Sequence, residues 1–484
     1  MKQVVLWAFA GFFLCGQTAL AQFPDTLLAK LTLNRFLGEV AAYHPAAANA
    51  RILSDQAAAV LTSARGAFDP KLYADWEQKS FDGKNYFTVG SSGLKVQTPY
   101  AISLKSEFNV ARGQFLNPEN KLPSEGQAVV GVSLPVLNGL MIDSERAGLQ
   151  QARLGVLSGE AQQRLQMNDL LFQAGLAYVD WAIAFNQVEI FRKAADIAKL
   201  RLEIMVESFR QGDKPAVDTL ETFILWQNRL FDLNESALEL ANAAQTLETF
   251  FWTPGQAFQG RGVLSGKQPV LLPDSSEALP PAPEAFLTGL ADRHPALRQL
   301  QLDLQALDID RRLAAEQFKP RLDVSYHFLA AGTDFLSPVN GGGGAFLRDL
   351  LTENYKWGLN FSFPLLLRKE QGKMQQVRLK QQMTSNKLEQ KQAELEAKIG
   401  NYYNELQTTD RQVALYEQIA QNYNRLLEAE QIKFNLGESS VFLLNTREQK
   451  LIEAQIKLAK LRGLFQKNRL ALSWAAGQLP NQVQ

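Results

Sequence analysis

The sequence is poor in the side chains that do chemistry. Its 484 residues include one cysteine, Cys15, and three histidines, His44, His294 and His327. A single thiol excludes intrachain disulfides and thiolate metal clusters. The imidazoles stand far apart, without the H-E-x-x-H kind of spacing that lets two of them share a metal. No nucleophile elbow or phosphate loop occurs, so neither a cofactor nor a metal is expected, and a secreted hydrolase is the poorest reading. Charge of one sign is also lacking: 50 Lys+Arg balance 50 Asp+Glu, which leaves no field to draw in nucleic acid. Beyond the N terminus no apolar run approaches the roughly 18 residues of a membrane helix. A membrane crossing therefore has to be a closed β-barrel, because only closure satisfies every backbone polar group in lipid.

The N terminus itself holds Met1-Lys2, an apolar run from Val4 to Cys15 and the small-residue stretch Thr18-Ala19-Leu20-Ala21. A basic start, a short apolar core and an A-x-A site predict a secretory signal peptide over residues 1–21, cleaved after Ala21. Cys15 follows the bulky Leu14, unlike a lipidation site, and is expected to leave with the signal. The mature chain would then carry no thiol.

Self-similarity is the strongest internal signal. His44-Pro45 and His294-Pro295 recur at the same offset as Pro70-Lys71-Leu72 and Pro320-Arg321-Leu322. Downstream, Gly131-Val132-Ser133-Leu134-Pro135 answers Asn360-Phe361-Ser362-Phe363-Pro364, and Phe209-Arg210-Gln211-Gly212 answers Phe434-Asn435-Leu436-Gly437. Trp252 with Gly255-Gln256 answers Trp474 with Gly477-Gln478. The first copy carries about 21 additional residues between Pro70 and Pro135. The expected organisation is a first repeat over 22–264, a Pro- and Ser-rich linker over 265–284, a second repeat over 285–479 and a tail over 480–484.

Each repeat reads as a shorter helix, a strand pair, a very long helix, a turn and a return helix. Proline is absent from Asn138 to Lys214 and again from Leu365 to Leu479, as uninterrupted helices require. At 1.5 Å per residue the stretch from Leu365 to Asn435 would span on the order of 100 Å. Helices of that length have to lie side by side. Leu170, Leu171, Ala174, Ala177, Tyr178, Trp181 and Ala182 follow helical spacing, as do Leu395, Ile399, Tyr402, Tyr403, Leu406, Val413, Leu415, Tyr416 and Ile419, with hydrophilic faces between. A helical wall lining water fits this pattern, and a soluble coiled-coil rod fits it equally.

The strands separate the two. Leu322, Val324, Tyr326 and Phe328 alternate with Asp323, Ser325 and His327, and Trp357, Leu359, Phe361 and Phe363 with Gly358, Asn360 and Ser362. In the first repeat Leu72, Ala74 and Trp76 alternate with polar neighbours, as do Val130, Val132 and Leu134, and a further alternating run lies from Tyr100 to Val110. Apolar-out, polar-in strands suit a membrane barrel. Two strand pairs cannot close one, so copies of the chain would have to pool their strands. The loop from Ala331 to Tyr355, with Gly341-Gly342-Gly343-Gly344, and the one containing Asn117-Pro118-Glu119 would lie outside the cell.

These features, in this order and twice over, resemble the TolC-type outer membrane efflux proteins along nearly the whole mature chain. The resemblance implies a mainly α fold with β: a homotrimer in which twelve strands, four per subunit, form one barrel in outer-membrane lipid. A long α-helical barrel would continue it across the periplasm. It also implies a periplasmic membrane-fusion adaptor and an inner-membrane pump or secretion ATPase as partners, docked at the helical-tip turns of Gly212 and Gly437. The lipid-facing strand residues would be Tyr326, Phe328, Trp357, Phe361 and Phe363. The family closes its tip with acidic rings; Asp218 and Glu221 stand at such positions in the first repeat, and Phe442 and Asn445 at their counterparts in the second. Asp218 reads equally as an ordinary exposed or N-cap carboxylate, and His44 and His294 as structural residues at helix starts. The competing reading is a periplasmic helical-hairpin adaptor or scaffold without its own pore, but adaptors carry one hairpin where this sequence has two.

Overall fold

The computed structural model describes residues 29–254, 258, 262–270, 280–332 and 354–483. The expected signal peptide, the Gly255-Gln256 landmark and most of the 331–355 loop lie outside the described residues.

Two helices dominate: α3 (Ser144–Arg210, 67 residues) and α8 (Arg368–Asn435, 68 residues). At 1.5 Å per residue each is about 100 Å long. Each reverses into a shorter partner, α3 into α4 (Ala216–Glu248) and α8 into α9 (Val441–Ala475). Two shorter helices complete the wall, α2 (Pro45–Arg65) and α7 (Pro295–Glu316). Contacts put α2, α3, α7 and α8 abreast in the upper tier and α4, α3, α9 and α8 abreast in the lower one. Small residues let the helices close up. A Cβ on Gly159 would meet Ala57 Cβ at 2.9 Å, and one on Gly463 would meet Ile183 Cδ1 at 2.2 Å.

The starts of α2 and α7 are built alike. His44 Nδ1 accepts from the Ala46 amide at 3.1 Å, and His294 Nδ1 accepts from the Ala296 amide at 3.2 Å. Each histidine is an N-cap with proline at the first helical position, where the missing amide costs nothing. Both are thus structural helix starts.

At mid-height a small domain girdles the wall. It comprises β1 (Ala29–Leu31), α1 (Leu33–Tyr43), β6 (Lys267–Pro269), the short α5 (Pro283–Leu287) and α6 (Leu290–Arg293), and the C-terminal α10 (Leu479–Val483). β1 pairs in parallel with β6, so part of the stretch expected as a linker is a strand. Phe36, Val40, Leu171, Tyr178, Val179 and Leu479 form one buried cluster here, and Leu297, Ile399, Leu406 and Leu472 another. Trp474 ties α9 to α3: its ring stacks on Phe172 at 4.9 Å and its Nε1 donates to Asp169 Oδ1 at 2.6 Å.

At the top lies one antiparallel sheet of six strands, where the resemblance implies four. Its order is β2 (Lys71–Phe81), β3 (Lys84–Gln97), β4 (Ser103–Arg112), β5 (Gln127–Pro135), β7 (Arg321–Ala331) and β8 (Tyr355–Ser362). The additional residues of the first repeat form the β3–β4 hairpin between β2 and β5. A hairpin adds two strands, so the up-down alternation is preserved. The Tyr100–Val110 run becomes β4 only from Ser103, because Ala101 takes a φ of 67° and turns the chain.

Burial, with Lys391 and Lys398 nearby, pushes the His294 imidazole down to about 4. In the unfolded chain the same ring takes up its proton near pH 6.5. Between those values the unfolded state binds more protons, so stability falls as pH drops through this window and this group adds nothing further below it. A loss of at most about 3 kcal/mol is expected. Thermal melting of the purified protein against pH checks it: the midpoint should drop from pH 6.5 to 4, and drop less in His294→Asn, which keeps a cap acceptor without a titrating ring.

Candidate functional site

Residues directly opposite one another in an antiparallel pair project to the same side, so the register sorts the sheet into two faces. One carries Leu72, Ala74 and Trp76 on β2, Leu94 and Val96 on β3, and Leu104, Phe108 and Val110 on β4. It continues through Val130, Val132 and Leu134 on β5, Val324, Tyr326 and Phe328 on β7, and Tyr355, Trp357, Leu359 and Phe361 on β8. Four of the five residues expected to face lipid share this apolar side, and Phe363 stands one residue past the end of β8. Tyr326 stacks on Tyr355 at 5.7 Å and meets Phe328 edge-on at 5.0 Å.

The opposite face carries Lys71, Tyr73, Asp75, Lys95, Lys105, Glu107, Asn109, Asp323, His327, Lys356 and Asn360. It is wired across strands. Tyr73 donates to Glu107 Oε2 at 2.7 Å, Lys105 pairs with the same oxygen at 2.6 Å, and Asn109 donates to Oε1 at 3.3 Å. The reach from Tyr73 on β2 to Glu107 on β4 passes over Gly93, where a Cβ would meet Glu107 Cβ at 2.7 Å. Where this face meets the helices it bounds a cavity of 1020 Å³ lined by Tyr73, Lys95, Lys105, Asp143, Arg321, Asp323 and Asn360 among others.

Sequence reading missed β3 and most of this network. The signal was there: Asp82-Gly83, with φ of 53° and 69°, is the two-residue turn joining β2 to β3, and Asp-Gly between alternating runs is a hairpin signature. The run Gly90-Ser91-Ser92-Gly93 hid the strand, since small residues there carry no alternation of their own. They make room instead for neighbours: Trp76 lies over Gly90 as Tyr73 reaches over Gly93.

The opposite end of the wall is formed by two matching turns. Gly212 (φ 82°) and Gly437 (φ 79°) each follow a long helix. The Gly212 amide donates to Phe209 O at 3.0 Å and Asp213 to Ser208 O at 2.9 Å; Gly437 donates to Phe434 O at 3.0 Å and Glu438 to Lys433 O at 2.9 Å. This paired closure satisfies the last carbonyls and needs a left-handed residue at the glycine. The turns touch through Lys214, whose ammonium lies 5.4 Å over the Phe434 ring. Beyond the second turn, Glu430 accepts from Ser439 Oγ at 2.6 Å and from Arg447 Nε at 3.5 Å.

Asp218 and Glu221 lie one helical turn apart at the start of α4, and both are half-buried. The N-cap there is Pro215, so Asp218 sits inside the first turn, where a carboxylate complements the helix dipole. Phe442 is exposed in the first turn of α9. Asn445 is not free: its Oδ1 accepts from Arg201 Nη1 at 2.9 Å, and the same guanidinium pairs with the buried Glu448. This triad pins α3 to α9 just above the tip. Arg201→Met should leave Glu448 buried without its partner and cost about 3 kcal/mol, with earlier protease cleavage near the tip turns in limited digestion as the readout. Removing both charges, as in Arg201→Met with Glu448→Leu, should recover much of that loss.

Residues 288–478 match the model of the outer membrane efflux protein family. No curated protein matches the sequence significantly. Solved structures that resemble the chain include the Campylobacter jejuni CmeC outer membrane channel, at a TM-score of 0.63 and 13% identity, covering 92% of this chain and 85% of that one. The outer membrane protein VceC of Vibrio cholerae aligns at 0.62 and 14%, covering 92% and 96%. The open state of the Neisseria gonorrhoeae MtrE outer membrane channel aligns at 0.63 and 14%, covering 92% and 88%. Residues 288–478 thus match the outer membrane efflux protein family, in a chain that shares, along nearly its whole length, the fold of these solved outer-membrane channels.

Proposed function

We propose that the chain is one subunit of a homotrimeric outer-membrane channel for efflux or export, a conduit and not a catalyst. The observation that carries this reading is the uncovered apolar face of the six-stranded sheet. Leu72 is 84% exposed, Trp76 70% and Trp357 64%, and no helix among the described residues lies over them. A water-soluble scaffold would have to hide such a face; acyl chains solvate it. No helix among the described residues is long and apolar enough to cross a membrane, so the sheet is the part suited to lipid. Tyr100, Met141, Leu365 and Leu366, all exposed where the sheet meets the helices, suit the inner boundary of the bilayer.

The same two sides of the wall stay open along its height. On α4, Val217, Ile224, Phe231 and Leu238 are exposed at seven-residue spacing, the repeat of a coiled-coil seam. On α8, Met383, Leu415 and Ile432 are exposed. A neighbouring copy brings one side against the other, which supports a ring of subunits with a tubular helical wall in the periplasm. The two repeats, 22–264 and 285–479, would then supply alternate segments of that wall. The tip turns at Gly212 and Gly437 are the docking points for an adaptor, through which an inner-membrane pump or secretion ATPase connects. In a closed ring Asp218 and Glu221 of three copies would meet at the tip with Phe442, while Asn445 serves the Arg201 contact.

Extraction separates this reading from a periplasmic adaptor, since a channel should leave the envelope only in detergent and an adaptor in salt alone. In planar bilayers, Asp218→Ala with Glu221→Ala should raise single-channel conductance by loosening the tip. Unchanged conductance would remove these two residues from the gate.

A further inference from the structure

The six-stranded sheet bears on the size of the barrel. Resting on the channel reading above, we propose that every copy contributes all six strands, the β3–β4 hairpin included, so that three copies close an eighteen-stranded barrel in place of a twelve-stranded one.

Three observations converge on it. First, the apolar face extends across the inserted hairpin: Leu94, Leu104, Phe108 and Val110 stand on the same side as Trp76 and Trp357, with the small Ser92 and Ser106 among them. A hairpin folded into the lumen or projecting above the membrane would have no reason to keep that side apolar. The opposite side is joined across the hairpin as well, where Tyr73 on β2 donates to Glu107 on β4.

Second, the hairpin preserves parity. β2 and β8 are the two edges of the sheet and run in opposite directions, with five antiparallel pairings between them. The β8 edge of one copy can therefore pair antiparallel with the β2 edge of the next, as it could with four strands. Both edges offer unpaired backbone groups that lipid cannot satisfy, and a second copy of the same chain can.

Third, the widths match. Four helices abreast at 8–10 Å spacing make a wall segment about 32–40 Å wide. Six strands 4.8 Å apart, tilted by about 40°, cover about 38 Å of circumference, whereas four cover about 25 Å. With six strands the sheet continues the helical wall at nearly constant diameter, about 36 Å across the barrel against about 24 Å for twelve strands. The membrane section would then not be the narrow part of the conduit.

Electron microscopy of the full chain, extracted in detergent and placed in lipid nanodiscs, tests the strand count, with the mass of the complex fixing the number of copies. The expected result is six strands per copy and, at the mass of three chains, a barrel about 36 Å wide. Four strands per copy, with residues 84–112 outside the barrel wall, would overturn the proposal while leaving the channel reading intact. A protein that leaves the envelope without detergent and shows no barrel would instead sink the channel reading. A second measurement needs no image. In a Cys15→Ser background, a bimane label on Val110→Cys should lose most of its emission in vesicles of brominated phosphatidylcholine, and Asn109→Cys should react with a charged thiol reagent from the aqueous side. Val110→Cys quenched by aqueous iodide and not by the brominated lipid would place the hairpin outside the membrane and overturn it.

Discussion

In the channel proposed above, a sheet edge in hydrocarbon is the constraint on which the rest of the structure turns. Each unpaired amide or carbonyl at a free edge costs several kcal/mol in lipid, and the chain ends its sheet on two such edges, β2 and β8. Six strands are too few to close a cylinder, so in that channel closure would come from identical neighbours. That requirement reaches downward through the molecule. The exposed seam on α4 and the exposed residues of α8 lie on the two flanks that closure would bring together. Neighbours joined at the sheet would thereby be joined along the helices as well.

The helical wall answers a different demand, length. Two helices of about 100 Å are stable only because each is packed against others along its whole course, with small residues at the close approaches and a glycine at each reversal. The mid-height domain acts as a clasp. Tyr178 donates to Leu31 O at 2.7 Å, and Trp474 is fastened to Asp169, so β1, α3 and α9 are fixed at one level. Below it, the polar triad of Arg201, Asn445 and Glu448 joins α3 to α9, with Met205, Val441 and Leu444 buried nearer the tip.

In the proposed barrel the β3–β4 hairpin would change the calibre without changing the plan. Adding strands in pairs keeps the alternation of directions and of faces, so the two edge strands offered to neighbours are unchanged. The glycines at positions 90 and 93 take up the crowding, lying under Trp76 and beneath the reach of Tyr73.

The sequence by itself determined the tandem repeat's landmarks, the long helices and the alternating strands, because each rests on local rules. Prolines bound the elements, their absence licenses the helices, His-Pro caps start α2 and α7, and glycine closes both turns. It also pointed to the outer-membrane efflux fold. Only the tertiary structure decided what the additional residues of the first repeat do, since β3 is masked in sequence by small residues whose purpose is to accommodate side chains on other strands. It likewise decided that Asn445 serves Arg201, that Asp218 stands inside its helix and not at the cap, and that a mainly apolar face extends across all six strands. These are matters of register and of packing between segments distant in sequence, which no local pattern encodes.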